Sequence, residues 1–207
     1  NQAMNTPNNS KALPPTTGSA FRAIVADPPW DMGKTGKRKS RPNQETKLDY
    51  PTMNTESICN LKAGDLAAPD AVLFLWTTHS HLEAAFGVMR SWGFRYQRCL
   101  TWDKANGICL FGFHHRTEFC LFGYRGKLEA FPRRKAFPTV FGGASERHSA
   151  KPETFFRLVE DYTPGPYLEM FARQKRHGWA SWGNEIANDV EMPNASVDVT
   201  NITTIKP

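Results

Sequence analysis

The 207-residue chain reads as an α/β domain of the doubly wound kind, a mostly parallel sheet with helices on both faces. Three observations predict it. Runs such as Phe21 to Ala26 and Ala71 to Thr77 are apolar at nearly every position, as strands covered on both faces are. Segments of helical spacing alternate with those runs, an order that lays strands side by side and parallel. Forty per cent hydrophobic and 12% aromatic residues suffice for one core at the length of one domain.

The elements follow in order. Residues 1–19, rich in Asn, Pro, Ser and Thr, read as a disordered tail. The first strand, 21–26, must stop at Asp27, because Pro28 and Pro29 lack the donors that would continue a sheet. Gly33 to Asp49 is a basic loop, and Thr55 to Leu61 a short helix. After the strand 71–77, Ser80 and Glu83 have the spacing of a capping box. Leu82, Phe86 and Met89 then repeat at helical spacing, and Trp92-Gly93 closes that helix. Strands are expected at 96–102 and 118–124, with 126–148 irregular. Pro152 suits a first helical turn, and Phe155, Leu158, Val159 and Tyr162 form one apolar helical face. Thr163-Pro164-Gly165-Pro166 breaks the chain before strands at 167–171 and 179–182. Residues 20–187 form the domain, and 188–207 read as a polar tail with a weak strand-like patch at 197–200. Asp27, Thr77 and Phe171 each end a strand and should share one rim, where open α/β sheets bind ligands.

Charge is uneven. The net +6 sits almost wholly in one stretch, where Lys34, Lys37, Arg38, Lys39, Arg41 and Lys47 meet only Glu45. Without it the chain carries 20 basic and 19 acidic residues. Such a segment attracts polyanions by releasing their counterions. Arg133, Arg134 and Lys135 read as a second phosphate contact. No apolar run approaches the roughly 18 residues of a membrane span, and the start has no signal-peptide core, so a soluble cytoplasmic protein is expected. Cys59, Cys99, Cys109 and Cys120 match no zinc spacing. Cys99 and Cys120 fall in apolar runs as buried thiols, and no metal is expected.

Asp27-Pro28-Pro29-Trp30 carries the chemistry. A base amino group is a poor nucleophile, because its lone pair is delocalised into the ring. A carboxylate and a carbonyl accepting its two N–H groups would localise that pair toward an incoming methyl. Asp27 supplies the carboxylate, and Pro28 a carbonyl aimed by two rigid residues. Trp30 supplies a flat face for an extruded base. Direct transfer needs no covalent intermediate, and no cysteine here follows a proline. His114 and His115 are read as loop or substrate contacts, since no strong general base is required.

At these residues the chain resembles a known family. Ala26-Asp27-Pro28-Pro29-Trp30-Asp31 is similar to the catalytic signature of the MT-A70 family of N6-adenine methyltransferases. Further segments match in the same order. They are Asp49 to Met53, Leu73 to Thr77, Trp92 to Phe94, Thr101 to Lys104, Glu118 to Gly123, Ser149 to Glu153, Leu168 to Arg173 and Trp182 to Glu185. The likeness covers about 21–187. It implies a Rossmann-like methyltransferase fold, S-adenosylmethionine as cofactor and N6-methyladenine as product. By the same resemblance Asp27 meets the target amine and the cofactor's ammonium, and Glu169, Phe171, Arg173, Asn184 and Glu185 line the cofactor site. Where the family often has a lysine before the Glu118 strand, this chain has Thr117, with Arg116 beside it as a candidate nucleic-acid contact. Lys175 and Arg176 stand where some members carry His-Asn, and the usual acidic strand before the catalytic one is missing. DNA is the expected substrate of so compact a chain, acting as monomer or homodimer. RNA as the target, cytosine N4 as the acceptor and a silent nucleic-acid-binding partner subunit stay open as alternatives.

Overall fold

A computed structural model of the protein describes residues 20–31, 51–110, 112–128, 136–143 and 151–193, with backbone alone at 105–110. Seven strands form one sheet in the order β5-β3-β4-β2-β1-β6-β7. They are β1 (Phe21–Ala26), β2 (Ala67–Thr77), β3 (Arg95–Leu110), β4 (Phe113–Arg125), β5 (Val140–Gly142), β6 (Tyr167–Met170) and β7 (Trp179–Trp182). Helices α1 (Thr55–Asn60), α2 (Leu82–Ser91) and α3 (Glu153–Tyr162) complete the domain. The pairs β1–β2, β1–β6, β6–β7 and β3–β5 are parallel, whereas β4 runs antiparallel to both β2 and β3. The sheet is thus mostly parallel, as expected, with one reversed strand.

Strand parity sorts the core into two layers. Ile24, Ala26, Leu73, Leu75, Leu168 and Met170 face one side, packed with Ile58 of α1 and Ala85, Val88 and Met89 of α2. Ala23, Val25, Val72, Phe74 and Trp76 face the other, packed with Phe155, Phe156 and Val159 of α3. This second layer is a web of edge-on aromatic contacts. Phe155 alone meets Phe74, Trp76 and Phe156 at 5.7, 4.8 and 5.5 Å between ring centres. Such contacts add to the gain from burial itself. Because Asp27 continues the 23–25 parity, its carboxylate emerges on the α3 side.

Several expectations need correcting. Ser80 does not cap α2. It lies inside a 3-10 turn, His79–His81, and the helix begins at Leu82 with no side-chain cap. Strands β3 and β4 run well past 102 and start well before 118. Residues beyond the reach of β2 pair with each other across the hairpin, down to Leu110 opposite Phe113. That part of the ladder, Asp103 to Leu110 with Phe113 to Thr117, carries no alternating apolar period to read. The short β5 inside 126–148 is held by three pairings to Thr101, Trp102 and Asp103. The polar tail starts later than 187: Val190 and Met192 are buried in the α2-side core, and Asp189 bonds Ser181 by backbone and side chain. The tail 1–19, the basic loop from Lys34 to Lys47, the Arg133-Arg134-Lys135 cluster and the patch at 197–200 lie outside the described residues. Cys59, Cys99 and Cys120 are free thiols; Cys120 is buried, but Cys99 only partly. Among the described residues there is no metal-binding cluster and no helix long and apolar enough to cross a membrane.

Candidate active site

The carboxyl ends of β1, β2, β6 and β7 open onto a cavity of about 400 Å³, a size suited to a small cofactor. The turn after β1 brings Asp27, Pro28, Pro29 and Trp30 to it, and the end of β2 brings Thr77 and Thr78. Phe171, Ala172 and Arg173 follow β6, and Asn184 and Glu185 follow β7. Glu118 of β4 and Lys151, just before α3, close the α3 side. The predicted rim of Asp27, Thr77 and Phe171 is therefore one site.

The corner is locked by its own backbone. Trp30 N–H donates to the Pro28 carbonyl at 2.8 Å, folding the chain tightly about Pro29. Met53 N–H donates to the Pro29 carbonyl at 2.8 Å, and Asp31 N–H to the Met53 carbonyl at 3.1 Å. A carbonyl has two lone pairs, so Pro28 keeps capacity for one further donor. Trp30 departs from expectation. It lines the cavity, but its side is 6% exposed, with its indole N–H bonded to the Trp76 carbonyl at 3.1 Å and its ring stacked on His81. A desolvated indole N–H needs such an acceptor. Trp30 is accordingly a fixed wall of the cavity rather than an open platform.

Lys151 is the residue that sequence reasoning left without a role. Its ammonium lies 2.7 Å from Asp27 Oδ2 and 3.3 Å from Glu118 Oε2, with 8% of the side chain exposed. It also sits 5.0 Å from the Trp76 ring centre. Glu118 is held on its other oxygen by Lys104 at 2.9 Å. Burial alone would lower the Lys151 pKa, but Asp27 and Glu118 outweigh it and raise it above the ordinary lysine value. Burial likewise pushes the Glu118 carboxyl up, and Lys151 and Lys104 together hold it below its usual range. The cue in the sequence was a lone lysine directly before the helix-starting Pro152. Its partners could not be read, because Asp27 and Glu118 lie far away along the chain.

The loops after β6 and β7 are packed on one another. Phe171 adopts a left-handed backbone, φ 63°, uncommon for an aromatic residue and worth noting at a site. Its ring meets Trp182 edge-on at 5.3 Å, and Ala172 N–H donates to the Trp182 carbonyl at 3.0 Å. A Cβ on Gly183 would lie 2.1 Å from the Ala172 carbonyl oxygen, so only glycine allows this approach. Arg173 and Glu185 face each other across the cavity mouth at 3.8 Å.

The remaining candidates fall elsewhere. Glu169 does not line the cavity. It lies one step back on the α3 face, 3.6 Å from Arg176 Nε, an ion-pair distance that leaves both atoms without a hydrogen bond. Burial pushes its carboxyl up to about 7 despite Arg176. Arg176 also bonds Glu153 at 2.6 Å and stacks on Phe156. Arg116 does not stand in for a lysine beside Glu118; that place is taken by Lys104, and Arg116 forks onto both oxygens of Asp103. His115 lies against His79, 4.9 Å between rings, and neither His115 nor His114 lines the cavity.

The MT-A70 family model matches residues 21–185. The chain belongs to the MT-A70 family. It is 28% identical to the Type II methyltransferase M.MunI of a Mycoplasma species, over 88% of this chain and 85% of that protein. It is 30% identical to the human N(6)-adenine-specific methyltransferase METTL4 over 80% of this chain. It is 25% identical to the human N(6)-adenosine-methyltransferase catalytic subunit METTL3, again over 80% of this chain. This chain spans only 37% and 28% of those two longer proteins. Membership in this methyltransferase family accords with the Rossmann-like sheet and its rim site.

Proposed function

We propose that the protein is an S-adenosylmethionine-dependent DNA adenine N6-methyltransferase, acting directly on a flipped-out or single-stranded base. The observation that carries this reading is the Asp27–Pro28 corner, whose acceptors border a cofactor-sized cavity while Lys151 occupies only one Asp27 oxygen. The free oxygen of Asp27 and the spare lone pair of the Pro28 carbonyl can each take one N–H of an amino group. Both acceptors are fixed before the base arrives, so little reorganisation is needed at reaction. The nitrogen lone pair would then take the methyl group that S-adenosylmethionine would supply, and the surplus proton would leave the nitrogen for Asp27 or solvent. The bound cofactor supplies the electrophilic methyl group. The cavity residues suit it chemically: Arg173 and Lys151 for a carboxylate, Glu185 and Asn184 for hydroxyls or an ammonium, Phe171 and Trp30 for apolar surface. Glu169 buttresses the loop after β6 in this reading.

Support for DNA comes from one relative. A Type II methyltransferase matches the chain over most of both lengths, whereas the longer relatives match over a minority of theirs. In the sequence the basic stretch follows the Asp27–Trp30 corner within a few residues, and such a stretch favours a polyanionic substrate. Labelled cofactor with matched DNA and RNA oligonucleotides, single- and double-stranded, tests the proposal. Label at adenine N6 of DNA is expected, with Asp27→Ala binding DNA but transferring nothing. Transfer to RNA alone would replace the substrate. Transfer by Asp27→Ala at the wild-type rate would overturn the mechanism.

A further inference from the structure

His81 belongs to none of the motifs above and does not line the cavity, yet it makes two contacts with the corner and its next residue and a third with the end of β2. Its ring stacks on Trp30 with centres 5.4 Å apart and planes 21° from parallel. Its Nε2 lies 2.8 Å from the Asp31 carbonyl. Its Nδ1 lies 3.0 Å from Thr78 Oγ1. A carbonyl only accepts, so Nε2 must carry the proton. In the neutral ring Nδ1 then accepts from the Thr78 hydroxyl.

These contacts complete a frame around the corner. With Pro28 and Pro29 contributing no N–H, the corner is pinned from the α1 side by Met53 and from below by the Trp76 carbonyl. Its outer flank rests on His81. Asp31 directly follows the Asp27–Trp30 string, so the bond at its carbonyl holds the far end of the corner. The failed helix cap has its explanation here. The 3-10 turn at His79–His81 carries the imidazole toward Trp30 and leaves α2 uncapped.

We propose that His81 is a positioning residue for methyl transfer, holding Trp30 and Asp31 so that the Asp27–Pro28 acceptors keep their aim. This rests on the methyl-transfer reading above. A misplacement of about 1 Å can cost on the order of 100-fold in rate, so a lost brace should appear in kcat rather than in cofactor binding. His81→Ala is expected to lower kcat by about 10- to 100-fold with KM for S-adenosylmethionine within about twofold. His81→Gln, which keeps an N–H for the Asp31 carbonyl, and His81→Phe, which keeps the stacked ring, should each recover part of the loss. Amide exchange by mass spectrometry should show the amides of Trp30 and Asp31 opening faster in His81→Ala while β6 and β7 are unchanged. That readout needs no turnover. If the wild type methylates nothing but exchange at Trp30 and Asp31 responds, the functional reading fails and the brace stands. A kcat within twofold of wild type in His81→Ala, or equal losses in kcat and cofactor binding with exchange raised throughout, would overturn the role. Should His81→Ala not fold, wild-type kcat together with wild-type exchange at Trp30 and Asp31 in both the Gln and the Phe variants overturns it too.

Discussion

At the scale of single residues, the site is governed by how few cations serve its carboxylates. Lys151 bridges two of them from a nearly sealed position. Replacing it with Met leaves Glu118 with Lys104 alone and Asp27 without its cation. Removing one member of a buried pair costs about 3–5 kcal/mol; the lower end applies here, because Asp27 is 35% exposed and water can recover part of the loss. Urea denaturation of Lys151→Met should show that loss, with methyl transfer falling by at least about 100-fold as Asp27 loses its aim. Glu169 gives a pH signature of the opposite sign to Glu118. Its carboxyl is raised to about 7 from an ordinary 4.5, so the native state holds a proton that the unfolded chain has released. That contribution is complete below about 4.5 and is lost as pH rises through about 7. The Glu118 contribution is instead present at neutral pH and lost as acid takes it below its ordinary value. Glu169→Gln should flatten the fall in stability between about pH 5 and 7 measured by thermal denaturation. An unchanged slope in that window would place the titration elsewhere.

At the scale of elements, what could be read in the sequence was what the core writes into it. β1 and β7 fall at their expected bounds, and α3 shows its apolar face at 155, 158, 159 and 162, because each packs against a layer that demands a period. The unread parts carry no such period: the β3–β4 extension, the three-residue β5, and the turn that replaces the cap of α2. The site divides in the same way. The Asp27–Pro28–Pro29–Trp30 string is contiguous and chemically unusual, so it was visible. Lys151, Glu118 and His81 meet it only through folding. α3 deserves a direct test, since its first turn follows Lys151. Phe155 is fully buried, and Phe155→Ala should cost about 3–5 kcal/mol in stability. The loops after β6 and β7 form a second unit. Gly183→Ala would push its methyl into the Ala172 carbonyl and separate Arg173 from Asn184 and Glu185. At least a tenfold weaker cofactor affinity by calorimetry is expected, and undiminished binding would show that these loops do not hold the cofactor.

At the scale of the whole molecule, charge and chain path matter most. Nearly all the net positive charge lies in the stretch that follows the Asp27–Trp30 corner, so on the proposed function affinity for DNA should be strongly salt-dependent. Neutralising Lys37, Arg38 and Lys39 together should flatten the plot of log K against log salt by about 0.9 for each phosphate contact removed. A slope that stays constant would show the loop standing away from the nucleic acid. The sheet order has a different consequence. The strand bearing the reactive corner emerges first in the chain but sits near the middle of the sheet, and Ala23 must wait for Tyr167 to pair on its second side. While a ribosome makes the intervening chain, that strand, apolar on both faces, has one edge whose backbone N–H and C=O groups lack a partner strand. Partnering over such separations is slow and exposes the chain to aggregation. The growing polypeptide should therefore depend on chaperones until β6 has been made, and only from then on can it hold its corner in a fixed place.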